Sequence, residues 1–222
     1  MKVTSVNVGL PRDVLWQGQT VLTGIFKDPV QGPVRIGKLN LAGDKQADLT
    51  VHGGPAKAVY AYPAEHYEYW RQQLPSVALP WGKFGENLTL EGLNSEGVEK
   101  HGLAEDMVCI GDRMRVGAAT LMVTQPRLPC YKLAIKFERD DMIKRFLASG
   151  RYGFYFSVIE PGEVSAGSEA TFLSRDPNRV TVADIGRLYR SERPDPGLLS
   201  RAIRVDALPE SWRNYLHRRA GA

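Results

Sequence analysis

The segment QPRLPCYKL, residues 125–133, sets a thiol, Cys130, among two prolines and two cations. A structural cysteine behaves as a small hydrophobe and sits in an apolar run, where nothing stabilises its thiolate. Here Arg127 and Lys132 supply positive charge of the kind that favours a thiolate, and Pro126 and Pro129 oppose regular strand or helix through the segment. The expectation is a kinked cationic loop that presents one sulfur. Cys109, the other cysteine of the chain, alternates with Val108 and Ile110 in DMVCIGD and reads as a buried, inert strand position. The two cysteines form no C-x-x-C pair, and His52, His66, His101 and His217 show no paired spacing. Neither a disulfide framework nor a zinc site built from protein ligands alone is expected.

Weaker constellations accompany the thiol. VHGGPAKAVYAYP, residues 51–63, carries His52, Gly53, Gly54 and Lys57 directly before a strand. Glycines allow backbone N–H groups to approach an anion and the lysine adds charge, although a glycine turn opening a hairpin explains the same residues. KFGENLTLEG, residues 83–92, puts Glu86 and Asn87 at a strand start, which taken alone reads as a capped turn. In RYGFYF, residues 151–156, Arg151 and the aromatics around Gly153 either face a planar ligand or fill the core, with Tyr155 reading as a core aromatic.

These residues need a scaffold. Up to about Leu173 the chain runs in short alternating stretches broken by glycine and proline: VTSVNVG, TVLTGIF, AVYAYP, ENLTLEG, DRMRVGAATLMVTQ, FYFSVIEPG and SEATFL. That pattern predicts a mainly β domain, a barrel or sandwich with hairpin connections. Two segments within it read as helices: AEHYEYWRQQL at 64–74, and DDMIKRFLASG at 140–150 with Asp140 as cap and Gly150 as stop. After SRDPN at 174–178 the period changes. TVADIGRLYR, GLLSRAIRV and LPESWRNYLHRR predict three short helices, each preceded by a proline or by a Ser, Thr or Asp cap. The division is a β domain over 1–173 and a three-helix segment over 179–222.

Length, composition and charge bound the rest. The 222 residues contain 43% hydrophobic and 24% charged residues, enough for one sizeable packed core. MKVTSVNVGL reads as a strand rather than a signal peptide, and no later run approaches a membrane span, so a cytoplasmic protein without membrane contact is expected. Residues 1–174 are electrically neutral, whereas residues 175–222 hold ten arginines against six acids, so the whole net charge of +4 lies in the tail. Such a tail superficially resembles a helix-turn-helix. The acids and the absence of a clear recognition helix favour a packing or partner-docking bundle over nucleic-acid binding.

VHGGPAKAVYAYP, FGENLTLEG, IGDRMRVGAATLMVTQPRLPCYKL and RYGFYFSVIEPGEVSAG together resemble the MOSC domain, and the helical tail is similar to that of bacterial stand-alone MOSC proteins of the 6-N-hydroxylaminopurine-resistance type. The resemblance implies a β-barrel related to the small domain of pyruvate kinase, binding a molybdenum cofactor (molybdopterin) with Cys130 as thiolate ligand to the metal. It implies reductive removal of oxygen from N-hydroxylated compounds such as hydroxylaminopurine-type bases and amidoximes. A soft thiolate suits a metal already held by dithiolene sulfurs. Lys57 and Arg127, with backbone amides of Gly53 and Gly54, are the candidates to hold the anionic cofactor, and His52, Asn87 and Arg151 are further candidates. No iron–sulfur cysteine set or G-x-G-x-x-G fingerprint is present, so electrons are expected from an external reductase. A homodimer remains open, as does the alternative that Cys130 carries a persulfide in a sulfur-transfer protein.

Overall fold

The computed structural model describes residues 1–47, 53–92 and 103–221. Its organisation is clearest at β6 (Val59–Pro63), which is buried at every position. Side chains alternate across a strand, so Val59 and Ala61 enter an aliphatic core while Tyr60 and Tyr62 enter an aromatic one on the opposite face. VYAYP is thus a strand sandwiched between two cores, and this explains its lack of a polar face.

β6 lies within an eight-stranded sheet. Its neighbours in chain order are β1 (Lys2–Val8), β4 (Asp28–Val30), β7 (Leu88–Glu91), β8 (Arg113–Val116), β9 (Ala119–Pro126), β10 (Phe154–Glu160) and β12 (Ala170–Ser174). The spatial order is β12-β8-β9-β10-β6-β7-β1-β4. All pairs are antiparallel except β6 with β7, which run parallel with Ala61 opposite Leu88. The segment entering β12 returns to β1: Val3 N–H donates to the Ser168 carbonyl at 2.9 Å, and Gly167 N–H donates to the Val3 carbonyl at 2.8 Å. The sheet therefore closes into a barrel, removing the open edges an eight-stranded sheet would otherwise present. A short pair of β5 (Val34–Ile36) and β11 (Gly162–Val164) and a ribbon of β2 (Arg12–Trp16) and β3 (Gln19–Thr23) complete the strands described. The ribbon turns at Gln17 and Gly18, both with positive φ (48° and 79°), the backbone signature of a tight hairpin.

Outside the barrel, α1 (His66–Gln73), α2 (Tyr131–Phe137) and α3 (Met142–Ser149) enclose the aromatic core. Tyr62 stacks on Phe84 with centroids 4.6 Å apart, and Trp70 donates its indole N–H to the Tyr62 hydroxyl at 2.7 Å. Gly153, with φ 61°, brings β10 against this cluster; a Cβ there would overlap the Ala61 carbonyl oxygen. Two expectations change here. β9 continues through Pro126 rather than stopping before it, and α2 begins immediately after Cys130 instead of the loop running on. Pro129 stands just outside the helix, where its missing N–H costs no helical bond. α3 carries Asp141, not Asp140, at its N-cap position, and that carboxylate pairs with Arg139 and Arg145.

The tail forms α4 (Val182–Arg190), α5 (Pro196–Ile203) and α6 (Glu210–Ala220). Thr181 and Asp184 make a reciprocal capping box on α4, and Asp195 caps α5 ahead of Pro196. Val182, Ile185, Leu199 and Leu216 join the same aliphatic core as the barrel strands, so the tail packs on its own barrel. Among the described residues no helix is long and apolar enough to cross a membrane.

Candidate functional site

The end of β9 delivers residues 127–130 to the mouth of the barrel, where Cys130, half-buried and in extended conformation, precedes α2. Cys130 lines a cleft of about 110 Å³ that is partly open to solvent. Lys57, which ends the 3-10 turn Pro55–Lys57 leading into β6, also lines it, together with residues 23–25, Lys27 and residues 44–47. Two hydrogen bonds fasten the walls together: the Thr124 hydroxyl donates to the Ala56 carbonyl at 2.6 Å, and the Gln125 side chain reaches the same oxygen at 3.3 Å.

Charge decides what the cleft can hold. Its described lining contains five cations, Lys27, Lys45, Lys57, Arg127 and Lys132, against one carboxylate, Asp44. Asp44 is already committed, since it forms a buried ion pair with Lys27 and accepts from the Asn87 amide at 2.8 Å. Lys45, Arg127 and Lys132 line the cleft besides that pair, as does Lys57. Arg127 is 5% exposed, its guanidinium lies 5.5 Å from the Tyr60 ring centroid and 5.1 Å from that of Phe146, and its Nη1 has no hydrogen-bond partner among the described residues. A buried guanidinium N–H left unpaired is costly, and an anionic oxygen entering the cleft would satisfy it. A half-buried thiol beside an orphaned arginine donor, in a cleft of net positive charge, fits an anionic cofactor with a thiophilic metal.

The sequence candidates separate in space. Cys130, Lys57, Arg127 and Asn87 line the one cleft, with Lys132 and Tyr155 beside them. Asn87 is a bracket rather than a free group, for its side-chain oxygen accepts the Tyr60 N–H at 3.1 Å while its amide serves Asp44 and the Asn7 carbonyl. Gly53 and Gly54 are not among the lining residues, and the Gly54 N–H donates to Gln46 at 2.8 Å. Arg151 also lies outside the lining; its guanidinium sits 3.9 Å from the Tyr69 ring centroid and donates to the Ser149 carbonyl. His52 falls outside the described residues. Tyr155 belongs to the cleft as well as to the aromatic core, and burial pushes its phenol up, keeping it protonated. Cys109 is 3% exposed, and burial, with Asp112 nearby, pushes its thiol up, consistent with an inert position; it sits in a bridge to Thr181 rather than in a strand.

Lys27, Asp44 and Gln46 were not legible as site residues, being drawn from loops without a spacing signal. Behind these residues lies a charged network whose Glu86 the sequence offered beside Asn87, whereas its Lys136 carried no signal. Glu86 is fully buried and accepts from the Tyr67 hydroxyl, Gly82 N–H at 2.8 Å, Phe84 N–H at 3.1 Å and the Thr89 hydroxyl at 3.1 Å. Burial pushes its carboxyl up, against these donors. Lys136 donates to the carbonyls of Ile25 at 2.9 Å and Gly82 at 2.6 Å, and burial lowers its pKa to about 7. Among the described residues no group of three or more His, Cys, Asp or Glu side chains is placed to hold a metal ion.

Comparison with known proteins gives the same architecture. The MOSC domain family matches residues 48–171, and a family described as the YiiM-like, 3-alpha helix domain matches residues 180–219. The chain is 41% identical over 211 residues to the uncharacterized protein YflK of Bacillus subtilis, spanning 95% of this chain and 90% of that one. It is 36% identical over 199 residues to protein YiiM of Escherichia coli, spanning 89% and 84%. A protein of Gibberella moniliformis named Reductase is 29% identical over 191 residues, a match that spans 85% of this chain and 32% of that protein. The crystal structure of YiiM from Geobacillus stearothermophilus superposes with a TM-score of 0.78 at 33% identity, covering 99% of this chain and 98% of the other. The barrel, the tail and these relatives together establish that the chain belongs to the MOSC family, in the form that carries a YiiM-like three-helix domain after the barrel.

Proposed function

We propose that this protein is a molybdenum-cofactor-dependent reductase of N-hydroxylated compounds, with Cys130 as the protein's ligand to the metal. The observation that carries this reading is the pairing of Cys130 with the unsatisfied, buried Arg127 donor in one cationic cleft. When bound, the cofactor supplies the two-electron chemistry that cleaves an N–O bond. The overall reaction is R–NH–OH + 2 e⁻ + 2 H⁺ → R–NH₂ + H₂O.

The chain's own residues position and select. Arg127 and Lys57 hold anionic groups of the cofactor, and Lys132 adds charge beside the thiol. Lys27 is neutralised by Asp44, so that pair sets the shape of the floor rather than its charge. The protonated Tyr155 phenol and the Tyr60 ring, centroids 5.1 Å apart and tilted 38° to each other, give the cleft an aromatic side on which a planar base can pack against one ring. The electrons must come from elsewhere, since the two cysteines cannot hold an iron–sulfur cluster and no dinucleotide fingerprint is present.

The test is to express the chain in cells that make the cofactor, measure molybdenum per chain, and assay 6-N-hydroxylaminopurine reduction with reduced methyl viologen. Near-stoichiometric molybdenum with turnover is expected. A chain free of molybdenum that carries a labile extra sulfur on Cys130 would replace this reading with sulfur transfer.

A further inference from the structure

α2, the helix that starts directly after Cys130, carries a buried cation in its last turn. Lys136 is 9% exposed, and its ammonium donates to the Ile25 carbonyl at 2.9 Å and to the Gly82 carbonyl at 2.6 Å. The bond to Gly82 is answered from the other side, since Lys83 Nζ donates to the Lys136 carbonyl at 3.1 Å. Gly82 is held in turn: its N–H donates to the buried Glu86 at 2.8 Å, and its carbonyl also accepts the Gly85 N–H at 2.9 Å. One ammonium thus joins three stretches of chain that lie far apart in sequence, residues 23–27, 82–87 and 130–136. Each of them lines the cofactor cleft, through Ile25 and Lys27, through Gly85 and Asn87, and through Cys130 and Lys132.

Burial of an ammonium opposes folding, and here no ion pair offsets it: the hydrogen-bond partners of Lys136 among the described residues are neutral carbonyls. Glu86 and Asp28 attract the charge from a distance while Lys83 and Lys27 repel it, and burial outweighs them all. A methionine of similar length would fill the same space without that penalty. It could not bond the Ile25 carbonyl, which accepts no other hydrogen bond among the described residues. The stretches it joins are also in close contact. A Cβ on Gly82 would fall 2.6 Å from the Lys27 carbonyl oxygen, and one on Gly85 2.8 Å from Ile25 Cγ1, so a shift of one stretch is passed to the next.

We propose that Lys136 is a positioning residue for the cleft: by holding the Ile25 and Gly82 carbonyls from the helix that begins at Cys130, it sets the separation between the thiol and the 23–27 segment, and with it how closely the cleft fits a bound cofactor. The inference deepens the reductase reading and rests on it for the identity of that cofactor. Lys136 is not itself among the residues lining the cleft, so it acts through the backbone it holds.

The test compares Lys136→Met with the parent chain and with Ile185→Val, which trims the aliphatic core at α4 and serves as a merely destabilised control. All carry Cys109→Ala, so that Cys130 is the one thiol left to react. In cofactor-free protein under native conditions, Cys130 is alkylated by iodoacetamide and, separately, by a bulky fluorescein maleimide. With the 23–27 segment released, the maleimide-to-iodoacetamide rate ratio should rise about fivefold or more in Lys136→Met and stay within about twofold of the parent in Ile185→Val. Lys83→Met removes only the answering bond, so it should move the ratio the same way by a smaller factor, and it carries the test if Lys136→Met does not fold. In cofactor-loaded protein, Lys136→Met should release molybdenum on dialysis faster than Ile185→Val. An unchanged ratio in both lysine variants, an equal rise in Ile185→Val, or molybdenum release from Lys136→Met as slow as from the parent would overturn the positioning role. Parent protein from cofactor-competent cells without molybdenum would count against the reductase reading, and the alkylation ratios would still decide whether Lys136 sets the cleft.

Discussion

Replacing Trp212 by phenylalanine removes one N–H while keeping an aromatic ring in nearly the same space. That N–H donates to Gln125 at 2.8 Å, and both residues are buried, at 8% and 4% exposure. Phenylalanine leaves the Gln125 oxygen unpaired with little access to water, which costs about 1–3 kcal/mol. For a chain of this size each kcal/mol lowers Tm by about 2–4 °C, so a fall of roughly 2–12 °C is expected. Replacing Gln125 by methionine orphans the indole instead, while Thr124 keeps the Ala56 carbonyl satisfied. The double variant removes both partners, so its destabilisation should be smaller than the sum of the singles by about 1–3 kcal/mol. Because Gln125 also braces the turn that carries Lys57, each single variant should lose cofactor more readily on dialysis. The assays are denaturant unfolding of the four proteins and molybdenum content after dialysis. Strictly additive stabilities with unchanged cofactor retention would refute the coupling of tail to site.

Cys130→Ala should abolish N-hydroxyl reduction with little change in Tm, whereas Cys109→Ala should keep activity and lose stability by about 1 kcal/mol through a small cavity, as turnover and thermal unfolding will show. Lys57→Met and Arg127→Met should lower the molybdenum retained after gel filtration well below that of Arg190→Ala or Arg201→Ala, since charges on solvated helix faces are screened over about 8 Å. Lys136, whose pKa falls from 10.5 unfolded to about 7 folded, binds fewer protons in the folded state between those values, so it makes stability rise with pH across that window. Urea unfolding should show wild type gaining on Lys136→Met by up to about 1.4 kcal/mol per pH unit there, and parallel pH profiles would show that the ammonium is not desolvated.

Much of this architecture was readable because it is encoded locally. The alternation in VYAYP, DRMRV and FYFSVIE marks strands, and Thr181, Asp195 and Pro196 announce helix starts that the structure retains. Cys130 stood out because its neighbours in sequence are also its neighbours in charge. α2 was hidden because Pro129 was weighed as a breaker of structure, although a proline just ahead of a helix is harmless and Leu133, Ala134 and Phe137 carry helical spacing. The β2–β3 ribbon was half seen, its Gln17–Gly18 turn giving a weaker signal than Asn-Gly would. Lys27, Asp44 and Gln46 could not be gathered from sequence, because loops 17 or more residues apart converge with Asn87, which the sequence did offer, only once the barrel closes. Arg151 could not be placed from sequence for a similar reason, since an arginine beside aromatics serves a ligand or a neighbouring ring equally well, and here it lies over the Tyr69 ring.

The central claim, that Cys130 gives its sulfur to a molybdenum held in the cationic cleft, is tested most directly by molybdenum X-ray absorption on cofactor-loaded wild type and Cys130→Ser. The account predicts one fewer sulfur scatterer around the metal in the variant, with Arg127 and Lys57 still retaining part of the cofactor. An identical sulfur shell in the two proteins, or wild-type protein from cofactor-competent cells with no molybdenum at all, would contradict it.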